Sequence, residues 1–433
     1  MKKPGRFLSI LAGLCGVVLL TRRKNRSVHR FAVSDANLIL PALSPLIALA
    51  GGAGALASLL SGEVLPALAG MLGAAAALRY TGRVTQPHAG FVQAFGPEWE
   101  QRIPASQRAR MLRARWTPIQ RDPPLARWER NVVIGAHAEN GSPLLADLWL
   151  PPEGVEPTGL GVIYLHGSGW RYLDKDVGTR RFFAHLASQG HIILDVAYTL
   201  APRSDMQGML NDVRRAIAWM KVSGPSYGVR PDRVALIGGS AGGHLALLAA
   251  YTPCHPDLKT PDVTVETSVR AVVSYYGVAD LTAAHNRANR TRGDTMMGRT
   301  PISRWILNLV ETFLKRRGWL APEGEIVPVQ CMISSVMGGA PDEKPDAYRL
   351  YSPISHVGPD CVPTLIIQGE DDQLVYGPEQ GEALYRALRA VGVPAIYVRF
   401  PDTEHGFDLF FPKWNPAYQS ATYDVERFLA LML

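Results

Sequence analysis

Hydrophobic residues form long apolar segments in the N-terminal part of the chain, and this pattern changes near residue 131. From there on, short apolar runs rich in β-branched residues alternate with stretches of helical periodicity. Continuous apolar strands of this kind are typical of a mainly parallel sheet that is buried on both faces by helices. The pattern therefore predicts an α/β domain over residues 131–433. The predicted strands are 131–138, 144–150, 161–165, 191–198, 233–237, 271–275, 364–368 and 395–400, and the predicted helices are 182–189, 209–221 and 241–251.

Two parts of this region depart from simple alternation. The first two strands are close in sequence and are joined through Asn140-Gly141, a pair that accepts the positive φ of a tight hairpin turn. The segment of residues 281–339 is too long for an ordinary connection between two elements, and it contains several aromatic residues and a short basic run. We therefore expect an antiparallel start to the sheet and a lid or cap insertion at 281–339.

The N-terminal region is organised around long apolar segments. Ala36–Leu60 and Val64–Leu78 are rich in Gly and Ala and are separated by the polar turn Ser61-Gly62-Glu63. Their lengths suit a bilayer core about 30 Å thick, and small residues let membrane helices approach closely. We predict a membrane-anchoring, transmembrane region over residues 1–83 with a helical hairpin at 36–78. Buried helices of a soluble domain stay an alternative, because three prolines interrupt the pattern.

An earlier apolar segment, residues 7–20, lies between two basic stretches. It has the basic start and short apolar core of a signal peptide, but no small-x-small cleavage site follows it, so we do not expect cleavage. Arginines on both sides of the hairpin place its two ends, and with them the α/β domain that follows, on the cytoplasmic side by the positive-inside rule. A first segment that itself spans would invert this count.

Composition adds a strong basic bias before residue 131. The formal charge is +7, and many of the 45 Lys and Arg residues are in this part of the chain. Anionic lipid attracts such segments by about 1 kcal/mol per basic residue, so we interpret residues 84–130 as a basic juxtamembrane linker, although a solvated linker also explains the charges. The absence of a zinc knuckle or RNA-binding aromatic motif argues against a nucleic-acid partner. Four scattered cysteines without CxxC spacing are interpreted as free thiols, and no metal site is expected.

The sequence Gly238-Gly239-Ser240-Ala241-Gly242 carries the first chemical signal. This GxSxG motif lies directly between the predicted strand RVALIGG and the helix AGGHLALLAA. A sharp turn from strand to helix needs residues without bulk on either side, and it presents the serine hydroxyl above the edge of the sheet. Ser240 is therefore the predicted nucleophile. The helix that follows would point free N–H groups toward developing negative charge.

Two further motifs support a family resemblance. His166-Gly167-Ser168-Gly169-Trp170 follows the strand GVIYL, and residues 195–202 have the sequence DVAYTLAP. With the serine motif, in this order, the chain resembles the hormone-sensitive-lipase and carboxylesterase branch of the α/β-hydrolases over about residues 131–433. The resemblance implies an HGGG-type oxyanion loop in which the amides of Gly167, Ser168 and Ala241 bind the substrate oxygen. Because Ser168 replaces a glycine, we expect the loop to have a smaller range of backbone conformations and to accept bulky alcohol groups less well.

The resemblance also implies the chain order serine, acid, histidine. The base is then His405, in the sequence TEHGF after the last strand. The family pattern GxxDxLV falls on Asp372, with Asp371 as the next choice, and a buried acid there would fix the tautomer of His405. His166 is expected to have a structural hydrogen-bonding role.

These residues predict a membrane-attached serine hydrolase that cleaves carboxylic esters through an acyl-enzyme on Ser240, with no metal or organic cofactor. The expected partners are a small-molecule or lipid-like ester and membrane lipid, and no oligomeric state is predicted. An amidase, peptidase or formamidase on the same residues stays open, since the acyl-transfer chemistry is shared. So does an inactive hydrolase fold used as a binding module at the membrane. A chain starting near Arg130 is expected to be soluble and active.

Overall fold

One eight-stranded sheet forms the centre of the part of the chain that the computed structural model describes, which is residues 4–21, 38–137, 141–290, 308, 311–320, 324–327 and 329–433. The strand order across the sheet is β1-β2-β4-β3-β5-β6-β7-β8. The strands are β1 (Arg127–Ala136), β2 (Pro143–Leu150), β3 (Gly161–Leu165), β4 (Ile192–Val196), β5 (Val234–Gly239), β6 (Ala271–Tyr275), β7 (Thr364–Gly369) and β8 (Ala395–Phe400).

The strand directions confirm the prediction of a mainly parallel sheet. The pairs β1–β2 and β2–β4 are antiparallel, and every other neighbouring pair is parallel. Each predicted strand has its counterpart, and the largest difference is at β1, which begins at Arg127. Of the predicted hairpin turn, Asn140 lies outside the described residues, whereas Gly141 has a φ of +65°.

Helices cover both faces of the sheet, because alternate residues of each strand enter two separate apolar layers. Ile163 and Leu165 belong to one layer and Val162 and Tyr164 to the other. The helices with described ends are α1 (Pro4–Thr21), α2 (Ser44–Leu60), α3 (Val64–Val84), α4 (Gly90–Phe95), α5 (Ala105–Arg108), α6 (Arg180–Ser188), α7 (Met206–Val222), α8 (Ala241–Tyr251), α9 (Leu281–Arg290), α10 (Val329–Met337), α11 (Pro345–Leu350), α12 (Gly381–Ala390) and α13 (Pro416–Ala430). Residues of α7 and α8 fill the first layer, and residues of α6 and α13 fill the second.

Helices α1, α2 and α3 form a closely packed N-terminal bundle. Small residues allow the close approach: a Cβ on Gly73 would lie 2.1 Å from the carbonyl oxygen of Ala12, and one on Gly51 would lie 2.6 Å from that of Gly70. Hydroxyl pairs join the helices inside, with Ser9 Oγ 3.2 Å from Ser58 Oγ. The predicted polar turn at residues 61–63 joins α2 to α3.

The bundle carries its large apolar side chains on the outside. Leu49 is 71% exposed and Leu65 is 80% exposed, whereas Ser9 and Ala77 are fully buried. The other leucines exposed on its surface include Leu14, Leu56, Leu60, Leu68 and Leu78. A helix bundle surrounded by water would bury its large apolar side chains and expose its polar ones. Among the described helices, Val64–Val84 is long and apolar enough to cross a membrane, and 39% of it is buried.

Residues 88–117 differ from the predicted juxtamembrane linker, because they pack on the α/β domain. Phe91 is buried in the second apolar layer, and Trp99 stacks on it with a centroid separation of 4.4 Å. Arg115 forms two hydrogen bonds, of 2.6 Å and 2.5 Å, with the fully buried carboxylate of Asp424 in α13. Sequence patterns do not reveal this contact, because the carboxylate partner of Arg115 is 309 positions away in the sequence.

These contacts change what is expected of a chain that begins at Arg130. Such a chain would lose the Arg115 partner of Asp424 and leave a buried charge uncompensated, which costs about 3 to 5 kcal/mol. We now expect it to aggregate or to unfold at a clearly lower temperature than a control chain that begins at Thr85 and keeps these contacts. Solubility and thermal unfolding of the two chains are the measurements. Equal stability would show that residues 85–129 are dispensable.

Candidate active site

Ser240 occupies a strained turn between β5 and α8. Its backbone has φ +53° and ψ −119°, a conformation that residues with a side chain rarely adopt. The flanking glycines make the turn possible: a Cβ on Gly238 would lie 2.3 Å from the carbonyl carbon of Gly242, and one on Gly242 would lie 2.0 Å from the carbonyl oxygen of Leu165. The turn projects Ser240 from the carboxyl edge of the sheet, as the motif predicts.

The three residues predicted as a triad are joined by hydrogen bonds. His405 Nδ1 is 2.8 Å from Asp372 Oδ2, and His405 Nε2 is 3.0 Å from Ser240 Oγ. Since an ionised carboxylate only accepts, Nδ1 carries the proton in neutral His405, and the Ser240 hydroxyl donates to Nε2. The arrangement can remove a proton from Ser240 as the serine attacks.

Asp372, and not Asp371, makes the contact with His405. Asp372 is fully buried, and its second oxygen accepts hydrogen bonds from the amides of Leu374 and Val375 at 3.0 Å and 2.8 Å. Gln368 Nε2, at the end of β7, donates to Oδ2 at 2.8 Å. These donors hold the carboxylate in one orientation, which in turn sets the orientation of the imidazole ring.

Tyr276 and Asp408 were missed by sequence reasoning. The ring of Tyr276 lies 4.4 Å from the ring of His405 between centroids, and its hydroxyl donates to Asp408. Burial raises the pKa of Tyr276 well above its usual value and also raises the pKa of Asp408, so the phenol stays a neutral donor. The available signal was the position of Tyr276 directly after β6, since ligand sites cluster at the carboxyl ends of parallel strands.

The loop after β3 lies beside Ser240. Gly167 and Ser168 line the same cavity as Ser240, and a Cβ on Gly167 would lie 3.5 Å from Ser240 Cβ. Ala241 is the first residue of α8, where the N–H group has no acceptor within the helix. The Ser168 hydroxyl is 2.6 Å from Tyr198 Oη and accepts from the Trp170 amide at 2.9 Å. The Ser168 side chain is therefore occupied in fixing the loop.

Two buried histidines near this loop are structural. Burial lowers the pKa of His166 and of His244 to about 4 in each case, so both are neutral at pH 7. His166 stacks on Tyr198 with a centroid separation of 4.5 Å. His244 Nδ1 accepts from the indole of Trp170 at 3.3 Å, so its Nε2 carries the proton and donates to the carbonyl of Tyr351 at 2.8 Å. The structural hydrogen-bonding role expected for His166 stays a prediction: its Nδ1 lies 3.4 Å from the carbonyl oxygen of Gly167, and among the described residues its buried Nε2 has no hydrogen-bond partner.

Above Ser240 lies a mainly apolar cavity of about 270 Å³. Part of its wall comes from the insertion between β6 and β7, through Ala284 of α9 and Met332 of α10. The insertion also contacts the segment that follows β3, since the amide of Leu173 donates to the carbonyl of Trp319 at 2.6 Å. Residues 291–307 of the predicted cap lie outside the described residues. In the described ranges, no group of three or more His, Cys, Asp or Glu side chains could hold a metal ion.

A family model described as BD-FAE matches residues 146–311 and 324–388, which together make up more than half of the chain. The chain belongs to the BD-FAE family. The matched region of this BD-FAE protein contains Ser240, Asp372, Gly167 and Ser168 and ends before His405.

Relatives of this BD-FAE protein include esterases of Mycobacterium tuberculosis. Esterase LipQ is 27% identical over 74% of this chain and 69% of its own length. The probable carboxylic ester hydrolase LipM is 29% identical over 68% of this chain, and esterase LipC is 29% identical over 69%. The chain spans 60% of LipM and 66% of LipC. The predicted class, a carboxylic ester hydrolase, agrees with the names of all three proteins.

Solved structures confirm the α/β-hydrolase fold. The Est2 esterase of Thermogutta terrifontis has a TM-score of 0.50 at 20% identity, over 70% of this chain and 92% of Est2. A bifunctional GH43-CE protein of Bacteroides eggerthii has a TM-score of 0.52 at 20% identity, over 70% of this chain and 38% of its own. With the curated relatives and the family match, they confirm the predicted resemblance of this BD-FAE protein to the hormone-sensitive-lipase and carboxylesterase branch.

Proposed function

We propose that this protein hydrolyses carboxylic esters through an acyl-enzyme on Ser240. The observation that carries the proposal is the continuous hydrogen-bond chain from Ser240 Oγ to His405 to Asp372, which lies at the base of an apolar cavity. Family membership and the esterase relatives support the same chemistry.

In the proposed reaction His405 Nε2 takes the proton from Ser240 as its oxygen attacks the ester carbonyl. The carbonyl oxygen becomes negative and is stabilised by the amides of Gly167, Ser168 and Ala241. His405 then returns the proton to the leaving alcohol. A water molecule, deprotonated by His405, attacks the acyl-enzyme, and the bond from the acyl carbon to Ser240 Oγ breaks as His405 gives the proton back to Ser240, which releases the carboxylic acid. Asp372 stabilises the imidazolium in both steps and does not itself take the proton.

The cavity suits a compact, apolar ester. Its volume of about 270 Å³ is near the lower limit for small-molecule sites, and its walls include the rings of Trp170 and Tyr276 and the side chains of Met332 and Ile333. The Ser168 hydroxyl bonds to Tyr198 and Trp170, and the insertion supplies the apolar side chains of Met332 and Ile333 to the wall.

Ester specificity can be tested with p-nitrophenyl esters of increasing acyl length and with the matching anilides. We expect turnover of short-chain esters at least about 100-fold faster than of anilides, because the amine is the poorer leaving group and nothing in the cavity is assigned to protonate it beyond His405. A fluorophosphonate probe should label Ser240. Faster turnover of the anilides would favour the amidase alternative. A protein that neither hydrolyses the substrates nor reacts with the probe would favour the inactive binding module.

We also propose that the N-terminal bundle attaches the protein to a membrane. The bundle exposes large apolar side chains and buries Gly, Ala and Ser, as helices in lipid do. Its three helices have 18, 17 and 21 residues, or about 25 to 32 Å at about 1.5 Å per residue. The cytoplasmic location stays a prediction from the charge pattern.

Membrane attachment predicts the behaviour of the whole chain in flotation. We expect the full-length protein to float with lipid vesicles and to need detergent for extraction, because the described part of the chain leaves these leucines of the bundle exposed. A chain that begins at Thr85 is the matched control and should stay at the bottom of the gradient. Full-length protein that remains in the soluble fraction without detergent would contradict the anchor.

A further inference from the structure

The last turn of α3 contacts both loops that carry the histidine and the acid. Tyr80 and Arg83, one turn apart on the same side of the helix, reach the loop after β8 and the turn after β7. The first loop leads to His405 and the second contains Asp372. The bundle is therefore attached at the carboxyl edge of the sheet, beside the candidate active site.

The contact of Tyr80 is buried and directional. Its hydroxyl is 3.1 Å from Thr403 Oγ1, and both residues are almost fully buried. The Thr403 hydroxyl donates its only proton to the carbonyl of Pro401 at 2.9 Å. It must therefore accept from Tyr80, so the tyrosine supplies a hydrogen bond that fixes the side chain two residues before His405.

Arg83 joins the two loops by charge. Its guanidinium pairs with Asp402, three residues before His405, and lies 3.9 Å from Glu370, two residues before Asp372. All three side chains are partly exposed, so each pair alone contributes little. The two ion pairs matter for the relative position of the loops, because one planar guanidinium on a helix contacts both of them.

Thr403 is also the point where the two loops meet. Its carbonyl oxygen accepts from the amide of Asp371 at 3.0 Å, and a Cβ on Gly369 would lie 2.4 Å from that oxygen. A displacement of Thr403 would therefore move the acid turn and the histidine loop relative to each other. The hydrogen bond between Asp372 and His405 depends on that separation.

We propose that Tyr80 and Arg83 are positioning residues, through which the N-terminal bundle sets the geometry of the histidine and acid loops. The inference rests on the proposed function of Ser240, Asp372 and His405. It implies that the bundle does more than locate the enzyme, because the same helix that ends the bundle holds the catalytic loops in register.

The test uses full-length protein in detergent with Tyr80→Phe, Arg83→Gln, Arg83→Lys and the double variant of Tyr80→Phe with Arg83→Gln. Arg79→Gln is the control, since Arg79 is exposed one turn before Arg83. We measure kcat and KM for a p-nitrophenyl ester, the rate of Ser240 labelling by a fluorophosphonate, and thermal unfolding. Misplacement of reacting groups by about 1 Å can lower rates by about 100-fold, so we expect kcat and the labelling rate to fall about 5-fold to 20-fold in the double variant. KM should change little. Arg83→Lys should lose less kcat than Arg83→Gln, because it keeps the positive charge. Arg79→Gln should have the kcat and KM of the wild-type protein.

An unchanged kcat and labelling rate in the double variant, whether or not it unfolds at a lower temperature, would overturn the inference and leave a purely structural contact. If the double variant does not fold, Arg83→Gln alone decides, because its side chain is only partly buried. Failure of the proposed function would be recognised separately, since wild-type protein would then neither cleave the ester nor react with the probe.

Discussion

Replacing Ser240 with alanine is expected to lower ester turnover by roughly 10⁴-fold to 10⁶-fold. The change removes the oxygen that forms the acyl-enzyme, and water would then have to attack the ester without covalent catalysis. The fold should be kept, because alanine is smaller than serine and the glycines that permit the turn at residue 240 are unchanged. Steady-state kinetics on a p-nitrophenyl ester and a thermal unfolding curve measure the two effects.

The Ser240→Ala variant also controls for contaminating esterases in the preparation. Its labelling by a fluorophosphonate should disappear, whereas wild-type protein is labelled once per chain. Retention of more than about a tenth of wild-type turnover, with an intact fold, would be incompatible with Ser240 as the nucleophile, since other serine triads lose far more.

The second largest effect is expected at the acid. Asp372→Asn should lower kcat by about 10³-fold to 10⁴-fold, because an amide no longer fixes the His405 tautomer that accepts the serine proton. Asp371→Asn is the matched control, one residue earlier in the same turn, and should lose less than about 10-fold. Asp371 contributes its backbone amide to Thr403, which the substitution leaves in place.

Kinetics of both variants at the same substrate concentrations give the ranking. The reverse order, with the larger loss at Asp371, would move the acid one residue earlier and would conflict with the 2.8 Å contact between Asp372 Oδ2 and His405 Nδ1. Equal and small losses would indicate that His405 is oriented by other groups, of which Tyr276 is the nearest ring.

The sheet and the Ser240 turn could be predicted from sequence because each depends on local patterns. Continuous apolar runs identify strands buried on both faces, and the strained turn at Ser240 needs small neighbours that are visible as a motif. The histidine and the acid were implied by the family resemblance, through the chain order of that family and its seven-residue pattern at 369–375. The structure brings these residues together, and their catalytic roles remain the proposal made above.

The contacts that could not be predicted are those between residues far apart in sequence. Tyr80 and Thr403 are 323 positions apart, and Arg115 and Asp424 are 309 positions apart. In both cases the local sequence favours another environment, a membrane helix for Tyr80 and a charged surface segment for Arg115. Only the packing of the N-terminal region on the sheet brings their partners within reach. Tyr276 was missed because an aromatic residue after a strand is more often core.

Ser168 affects the stage at which the loop after β3, proposed above as the oxyanion loop, loses its conformational entropy. A glycine at this position would leave the free loop with more backbone conformations, and binding of each substrate molecule would have to select among them. The serine has fewer conformations in the unfolded chain, and the hydrogen bonds of its hydroxyl to Tyr198 and Trp170 restrict the folded loop further. The loop is thus ordered once, during folding, and the amides proposed to bind the substrate oxygen are in place before a substrate molecule arrives.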